Sequence, residues 1–295
     1  MSREAAFIQS LRAIARHPAA RNLDDDCAVL ELGSETLILT HDMMVEGTHY
    51  LPTATHGADM ADVAWKLVAT NLSDLAAKGA QPLGVLVGHM LGTGDDRFAE
   101  GLAEVLARYD VPLLGGDTVS GSGPKSHGLT AIGRATHTPV PARSGARPGD
   151  AVWVTGTLGR AMLGYEALRN GTAADSSAYR RPVPLLAEGR ALAPRVTAMM
   201  DVSDGLLLDA FRMAQASGVA IALDSASVPL AAPSRPLDCM TWGDDYELLF
   251  TLPPDTSPPV PATRIGIVEP QGFAPLFLDG EPLVNPEGLG YAHNS

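Results

Sequence analysis

The amino-acid sequence predicts two domains of similar size, each combining α-helices and β-strands in an α/β or α+β arrangement. The chain has 295 residues, enough for one large or two ordinary domains with sizeable cores. Short apolar runs typical of strands alternate loosely with helical patterns in both halves. Near the middle, a stretch rich in Pro, Gly and Arg interrupts these patterns. We therefore predict domains at residues 1–137 and 151–295, joined by a linker at 138–150.

In the first half, apolar spacing predicts alternating helices and strands. An amphipathic helix opens the chain, and a strand at residues 37–40 leads into a polar loop. Apolar residues recur at helical spacing over residues 58–78, and Gly79 is a suitable helix stop. The elements predicted next are, in order, the strand GVLVGHML, the helix DDRFAEGLAEVLARYD, the short strand VPLLGGDT ending in a turn, and the strand HGLTAIGRAT.

The second half repeats this mixture of elements. A strand and turn, AVWVTGTLG, precede a helix that begins at about Arg160. The segment AMMDVSDGLLLDAFRMAQASG predicts a strand, a tight turn and a helix with Gly218 as its C-cap. A strand, YELLFTL, and a proline-rich surface loop, PPDTSPPVPA, follow.

The composition narrows the class of protein. Hydrophobic residues make up 45% of the chain, as in globular proteins, and its apolar runs are shorter than a membrane span. The N-terminus has no uninterrupted apolar stretch of the kind that signal peptides carry, so we expect a cytoplasmic protein. A mitochondrial presequence is the weaker alternative, because Glu4 interrupts its basic character. Cys27 and Cys239 match no zinc or redox spacing. The net charge of −13 argues against nucleic acid as a partner.

Carboxylates recur at the ends of apolar strands and inside one apolar helix. They are Asp25 and Asp26, Asp42, Asp74, Asp117, and Asp201 with Asp204. Singly, most have an ordinary explanation, such as a turn or a helix N-cap. Asp74 lies inside the apolar helix, where a buried carboxylate is costly unless it is paired. Either a distant arginine or a bound cation could neutralise it.

Hard divalent cations are the simplest partners for so many carboxylates. Mg²⁺ prefers oxygen ligands and commonly bridges carboxylates to substrate phosphates, which indicates phosphoryl transfer. The sequence has neither the Walker P-loop pattern nor the protein-kinase signatures. The glycines before Asp117 are compatible with a backbone that approaches a phosphate or a base.

An ordered series of motifs resembles the thiamine-monophosphate kinase family, which shares a superfamily with aminoimidazole ribonucleotide synthetase and selenophosphate synthetase. The motifs are DDCAVL, THDMMVEGTHY, NLSDLAAKGAQP, GGDT, RSGARPGD, DVSDGLLLD and DDYELLFT, between about residues 22 and 252. The resemblance implies a two-domain PurM-like fold, with an α/β N-terminal domain, an α+β C-terminal domain and a homodimer formed by the N-terminal sheets. It also implies transfer of the γ-phosphoryl group of ATP to thiamine monophosphate, assisted by several Mg²⁺ ions.

The resemblance also implies a set of site residues. The positions that match magnesium ligands are Asp26, Thr40, His41 (through its carbonyl), Asp42, Asp74, Asp117, Asp201 and Asp204. Those that match nucleotide contacts are Gly116, Asp117, Arg143 and Ser203, and those that match thiamine-phosphate contacts are His49 and Asp244. Asp42, Asp74 and Arg143 are the residues from which we expect the catalytic effect, through charge neutralisation and alignment.

The sequence departs from the family pattern in places. Asp244 stands where a glutamate is common, and the aromatic residue that often stacks on thiamine near the C-terminus could correspond to Tyr291 or be replaced by Asn294. Two alternatives to the kinase remain. One is another ATP-dependent enzyme of the superfamily, and the other is a non-catalytic module that binds Mg²⁺ and nucleotide.

Overall fold

The computed structural model describes residues 3–12, 14–52 and 58–292. After helix α1 (Arg3–Arg12) and a 3-10 helix (Pro18–Leu23), five strands form the first sheet. They are β1 (Ala28–Leu32), β2 (Glu35–Val45), β3 (Ala80–Met90), β4 (Leu113–Val119) and β5 (Ser126–Ala135). Their order is β1-β2-β5-β3-β4; β3 and β4 run parallel, and the other neighbouring strands in this order run antiparallel. Strand β4 is therefore an edge strand.

Helices α2 (Met60–Ala77) and α3 (Asp95–Tyr109) pack together beside this sheet. Every residue of α2 is buried except Asp74, which is half-buried. Polar residues such as Lys66 and Asn71 are buried together with the apolar ones, because the helix contacts strands of both halves of the chain. One hydrophobic core surrounds α2 and includes Met199, Leu248 and Phe250 from the second half. Helix α2 is thus a shared central element, and it carries Asp74 into the space between the two sheets.

Seven strands form the second sheet. They are β6 (Ala151–Val154), β7 (Ala198–Asp201), β8 (Ala220–Leu223), β9 (Leu248–Leu252), β10 (Thr263–Glu269), β11 (Leu276–Leu278) and β12 (Glu281–Leu283). Their order is β12-β11-β8-β10-β6-β9-β7, and only β8 and β11 are parallel. The helices of this half are α4 (Arg160–Arg169), α5 (Ser177–Arg180), α6 (Leu186–Leu192), α7 (Leu206–Ser217) and α8 (Pro236–Thr241).

The predicted mixture of helices and strands is confirmed in both halves, including the helix at 58–78 and the αL C-cap at Gly218. Two details were wrong. The strand predicted at 37–40 extends to Val45, so His41 and Asp42 belong to the sheet rather than to a loop. The turn predicted at the end of VPLLGGDT is instead part of β4, which continues to Val119 because this stretch pairs with β3. In the sequence, the strands of the first sheet all precede residue 138 and those of the second sheet all follow residue 150. The exact bounds of the domains stay a prediction.

Helix length and polarity bear on membrane association. Within the described ranges, no helix combines the length and the apolar character that crossing a bilayer requires.

A glycine sets the distance between α2 and α3. A Cβ added at Gly101 would overlap the backbone of Ala61. We expect Gly101→Ala to lower the free energy of unfolding by about 1–3 kcal/mol through overpacking, although alanine is the better helix former. Denaturant unfolding measures this change. Gly272→Ala is the control, because an added Cβ meets nothing within 4 Å there; equal effects of the two substitutions would contradict the packing argument.

Candidate active site

A cavity of about 630 Å³ lies between the two halves of the chain. Strand β2, helix α2, the end of β7 and the segments around Asp244 and Tyr291 line it. The predicted site residues in its wall are His41, Asp42, His49, Asp74, Asp201, Ser203, Asp204, Asp244 and Tyr291. Residues that are far apart in the sequence therefore meet in one space, as the motif series implied.

Three carboxylates, those of Asp26, Asp74 and Asp201, form a cluster beside this cavity. Asp26 lies before β1, Asp74 in the last turn of α2 and Asp201 at the end of β7, and one oxygen from each lies within 4.8 Å of the others. Thr40 donates a hydrogen bond to Asp74, and the Ser73 hydroxyl donates to Asp201 over 2.5 Å. Strand β2 places both Thr40 and Asp42 on the side that faces α2, where the amide of Asp42 donates to Asn71.

Burial and mutual repulsion make this cluster electrostatically costly. Burial, together with neighbouring carboxylates, raises the pKa of Asp42 to about 6 and that of Asp201 to about 7. The same causes raise the pKa of Asp74 well above its usual range. In the described part of the chain, the carboxylates of Asp74 and Asp201 each accept a hydrogen bond from a hydroxyl group, and neither forms an ion pair with a lysine or arginine. A hard cation would neutralise them, so these oxygen donors fit Mg²⁺.

Asp26 has a different environment. Burial favours its protonated form, but Arg143 and Lys78 hold the pKa of Asp26 well below its usual range. The Lys78 ammonium lies 2.7 Å from Asp26 and 2.6 Å from Asp25, and Arg143 contacts the other oxygen of Asp26. Sequence reasoning missed Lys78, although a lysine at the end of an apolar helix, four residues after Asp74, was a usable signal.

The three consecutive aspartates at 24–26 do not act together. Asp24 is half exposed and pairs with Arg12, whereas Asp25 is buried between Arg21 and Lys78. Only Asp26 joins the carboxylate cluster. The interpretation of the triplet as one wall of a metal site therefore applies to a single member, because successive side chains of the segment point in different directions.

Asp244 lies at the centre of a second group of side chains in the cavity wall. Its carboxylate accepts from the Lys66 ammonium over 2.6 Å and from the Tyr246 hydroxyl over 2.8 Å. Lys66 also donates to the carbonyl of His49 over 3.2 Å and lies 3.9 Å from the centre of the Tyr179 ring. The ion pair of Lys66 with Asp244 therefore joins residues that are 178 positions apart in the sequence.

The loop that carries Asp244 is tightly constrained. Asp244 and Tyr246 both adopt positive φ, and a Cβ at Gly243 would overlap the backbone of Ser203. The close approach brings Asp244 beside the loop of Ser203 and Asp204. The amide of Asp244 donates to the carbonyl of Ser203 over 2.8 Å, which fixes this arrangement.

Asp209 and Arg212 fix the position of the Ser203–Asp204 loop through hydrogen bonds and ion pairs. The Asp209 carboxylate accepts from the amides of Ser203 and Asp204, and Arg212 pairs with Asp204 and Asp209. Sequence reasoning quoted Asp209 within a motif but gave it no role. Its position at the start of α7, where a carboxylate can accept from free amides, was the available signal.

Aromatic side chains line the wall near Asp244. Tyr165 and Trp242 lie with ring centres 5.0 Å apart, and Tyr179 contacts Tyr165 at 5.4 Å. Tyr291 reaches the same cavity, and its amide donates to the carbonyl of Asp204 over 2.8 Å. Its stacking role stays a prediction. Asn294, the alternative, lies outside the described residues.

Gly116 and Asp117 lie away from the cluster. Both are exposed on β4, where Gly116 pairs with Val87 and Asp117 pairs with Gly88. In register, Asp42 faces Leu129 of β5, Leu129 faces Val87 of β3, and Val87 faces Gly116. Gly116 is therefore three strand spacings from Asp42, about 14 Å. One chain does not bring Asp117 to Asp42, and its assignment as a ligand stays a prediction.

Comparisons with known proteins agree with this architecture. The chain matches the family models described as AIR synthase related protein, N-terminal domain (residues 24–135) and C-terminal domain (residues 147–272). The AaThiL structure, complexed with AMPPCP and TMP, superimposes with a TM-score of 0.87 and 28% identity, covering 98% of this chain and 96% of that one. The predicted two-domain PurM-like fold is confirmed; the pairing of N-terminal sheets is not tested.

Two relatives with similar sequences are both named thiamine-monophosphate kinase. The thiamine-monophosphate kinase of Caulobacter vibrioides is 35% identical over 96% of this chain and 88% of its own length. That of Escherichia coli K12 is 36% identical over 92% and 91% of the two chains. The chain therefore belongs to the thiamine-monophosphate kinase family.

Proposed function

We propose that this chain transfers the γ-phosphoryl group of ATP to thiamine monophosphate, giving thiamine diphosphate and ADP. The observation that carries the proposal is one cavity lined by carboxylates of the cluster and also by a lysine, Asp244 and aromatic rings. Relatives named for this activity and the AaThiL complex with AMPPCP and TMP support the same assignment.

The proposed reaction needs little proton transfer. The attacking atom is an oxygen of the substrate phosphate, which is already ionised near neutral pH, so catalysis reduces to alignment and charge neutralisation. Mg²⁺ supplies the neutralising charge on the phosphate oxygens when it is bound. The residues proposed to hold it are Asp26, Asp42, Asp74, Asp201 and Asp204, with Thr40, the His41 carbonyl and Asp117 as further ligands.

The chain's own cations complete the proposed site. The Arg143 side chain is 19% exposed and contacts Asp26 through one terminal nitrogen, so its other terminal nitrogen is the donor proposed for a nucleotide phosphate. Lys66 and His49 also line the cavity, where a substrate phosphate could approach Lys66. Rings at Tyr165, Trp242 and Tyr291 offer faces to the cationic thiazolium of thiamine.

A homodimer is part of the proposal. Apolar side chains lie exposed on the face of the first sheet opposite α2 and along β4. They are Met43, Leu86, Leu113, Leu114 and Val119, between 40% and 55% exposed. A second copy packed on this face would cover them and would bring another β4, with its Gly116 and Asp117, near the face that carries His41.

We expect Leu114→Arg to convert the dimer to a monomer and to reduce turnover, because a charge would be placed in an apolar interface. Sedimentation velocity measures the state of association. Phe273→Arg is the matched control, since Phe273 is 78% exposed and lies in the second half. A wild-type chain that sediments as a monomer at all concentrations would refute the dimer.

The kinase assay tests the proposed activity. Purified protein with Mg-ATP and thiamine monophosphate should form equal amounts of thiamine diphosphate and ADP. ADP without thiamine diphosphate would favour another ATP-dependent enzyme of the superfamily, and nucleotide binding without ADP would favour a non-catalytic module. The cytoplasmic location predicted from the sequence stays a prediction.

A further inference from the structure

Lys78 is a fully buried cation at the edge of the carboxylate cluster. It caps the C-terminal end of α2, and its side chain is 0% exposed. The ammonium lies 2.6 Å from Asp25, 2.7 Å from Asp26 and 3.5 Å from the carbonyl of Met199. A buried ammonium is stable only with such a set of acceptors, so its place in the fold depends on these carboxylates.

The charges around the cluster are divided unevenly. Asp25 and Asp26 share three cations, Lys78, Arg21 and Arg143. Among the described residues, no ion pair is recorded for Asp74 or Asp201 on the other side. One side of the acidic wall is therefore neutralised by the protein itself, whereas the other side lacks such compensation.

Asp26 contacts both the cations that neutralise Asp25 and the carboxylates that lack such partners. One of its oxygens accepts from Lys78 and the other from Arg143, yet one oxygen also lies within 4.8 Å of ligand atoms of Asp74 and Asp201. A carboxylate offers about four lone-pair directions, so Asp26 can keep these two hydrogen bonds and still bind a metal ion. The orientation of Asp26 toward the cluster is thus set by groups that need no metal.

We propose that Lys78 is a positioning residue and a built-in counter-ion, which holds Asp25 and Asp26 in place before Mg²⁺ binds and limits how strongly the cluster attracts the ion. This inference depends on the proposed function only in taking Asp26 as part of a Mg²⁺ site. It predicts that changes at Lys78 and Asp25 shift magnesium affinity in opposite directions.

The test measures Mg²⁺ binding without nucleotide or substrate. The magnesium affinity of each variant is obtained from isothermal titration calorimetry and from the melting temperature as a function of magnesium chloride. For Lys78→Met we expect a melting temperature about 10 °C below wild type in EDTA. Saturating Mg²⁺ should restore at least half of this loss, and the affinity should rise about tenfold because a nearby positive charge is removed.

Asp25→Asn is the opposing variant. It leaves Lys78 and Arg21 with one carboxylate fewer, so we expect the Mg²⁺ affinity to fall about tenfold. The double variant K78M/D25N should return close to the wild-type affinity. Lys66→Met is the control for loss of a buried ammonium, since Lys66 pairs with Asp244 and not with Asp25 or Asp26; Mg²⁺ should restore its melting temperature less than that of Lys78→Met.

The outcomes separate the possibilities. Equal losses of melting temperature for Lys78→Met in EDTA and in Mg²⁺, with unchanged affinity, would mean that Lys78 is only a packing element. If Lys78→Met does not fold, two other measurements test the proposal. An Asp25→Asn variant with unchanged Mg²⁺ affinity would overturn it. A wild-type protein that shows no cooperative thermal transition in EDTA would also overturn it. A failed kinase assay alongside the opposed affinity shifts would overturn the proposed activity and leave the role of Lys78 standing.

Discussion

Asp74→Asn is expected to abolish phosphoryl transfer and, at the same time, to stabilise the metal-free protein. Asp74 is half-buried beside other carboxylates, and the loss of hydration together with their charges raises its pKa well above the usual range. A raised carboxylate pKa means that the ionised form is destabilised in the folded state, so near neutral pH the charge lowers stability. Asparagine removes that charge and keeps the size of the side chain and an oxygen for the Thr40 hydroxyl.

The same substitution removes a proposed metal ligand. We expect kcat to fall by about 10³-fold or more, comparable to the loss of a principal electrostatic group in an active site. The melting temperature in EDTA should rise by about 2–4 °C, and the further rise on adding Mg²⁺ should shrink.

The control is Asp24→Asn, two positions before Asp26, because Asp24 is half exposed and pairs with Arg12 outside the cavity. Neither its activity nor its response to Mg²⁺ should change. Near-normal activity of Asp74→Asn would show that the ligand assignment is wrong. A lower melting temperature in EDTA would show that Asp74 is not electrostatically strained.

Lys66→Met is expected to raise the KM for thiamine monophosphate by about 10²-fold. Lys66 is 4% exposed and is the ion-pair partner recorded for Asp244. Without the ammonium, the Asp244 carboxylate would face an incoming phosphate uncompensated, and removing one partner of a buried pair costs about 3–5 kcal/mol. Binding therefore suffers both from lost attraction and from new repulsion.

A double-mutant cycle isolates the second effect. Asp244→Asn in the Lys66→Met background should recover part of the affinity, giving a coupling energy of about 1–3 kcal/mol. Tyr246→Phe is the matched control, since it removes the other hydrogen bond to Asp244 without changing charge, and its effect should be smaller. Additive losses for Lys66→Met and Asp244→Asn would contradict the role given to this pair.

The long helix that contains Asp74 shows which structural features the local sequence pattern can predict. Its apolar spacing predicted the helix, and a carboxylate in an apolar helix predicted a costly charge that needed a partner; both depend on neighbours within a few turns. The strand ends at Asp201 and the tight turn before α7 were predicted for the same reason. The motif series added which of these segments belong to one site.

The partners of these charges could not be predicted in this way. Lys78 meets Asp25 and Asp26 across more than 50 positions, and Lys66 meets Asp244 across 178. Nothing in local periodicity specifies such pairs, because they result from how two sheets pack around one central helix. The same holds for Asp117, whose exposed place on β4 follows from the strand order of the sheet.

The sequence by itself therefore determined the two mixed halves, the central helix and the set of acidic segments, since backbone periodicity and turn chemistry act over short distances. Only the tertiary structure decided which aspartates share a cavity, which of them are neutralised by buried lysine and arginine, and which one remains on an exposed edge. Those outcomes depend on desolvation and on distances between segments, and both exist only once the chain is folded.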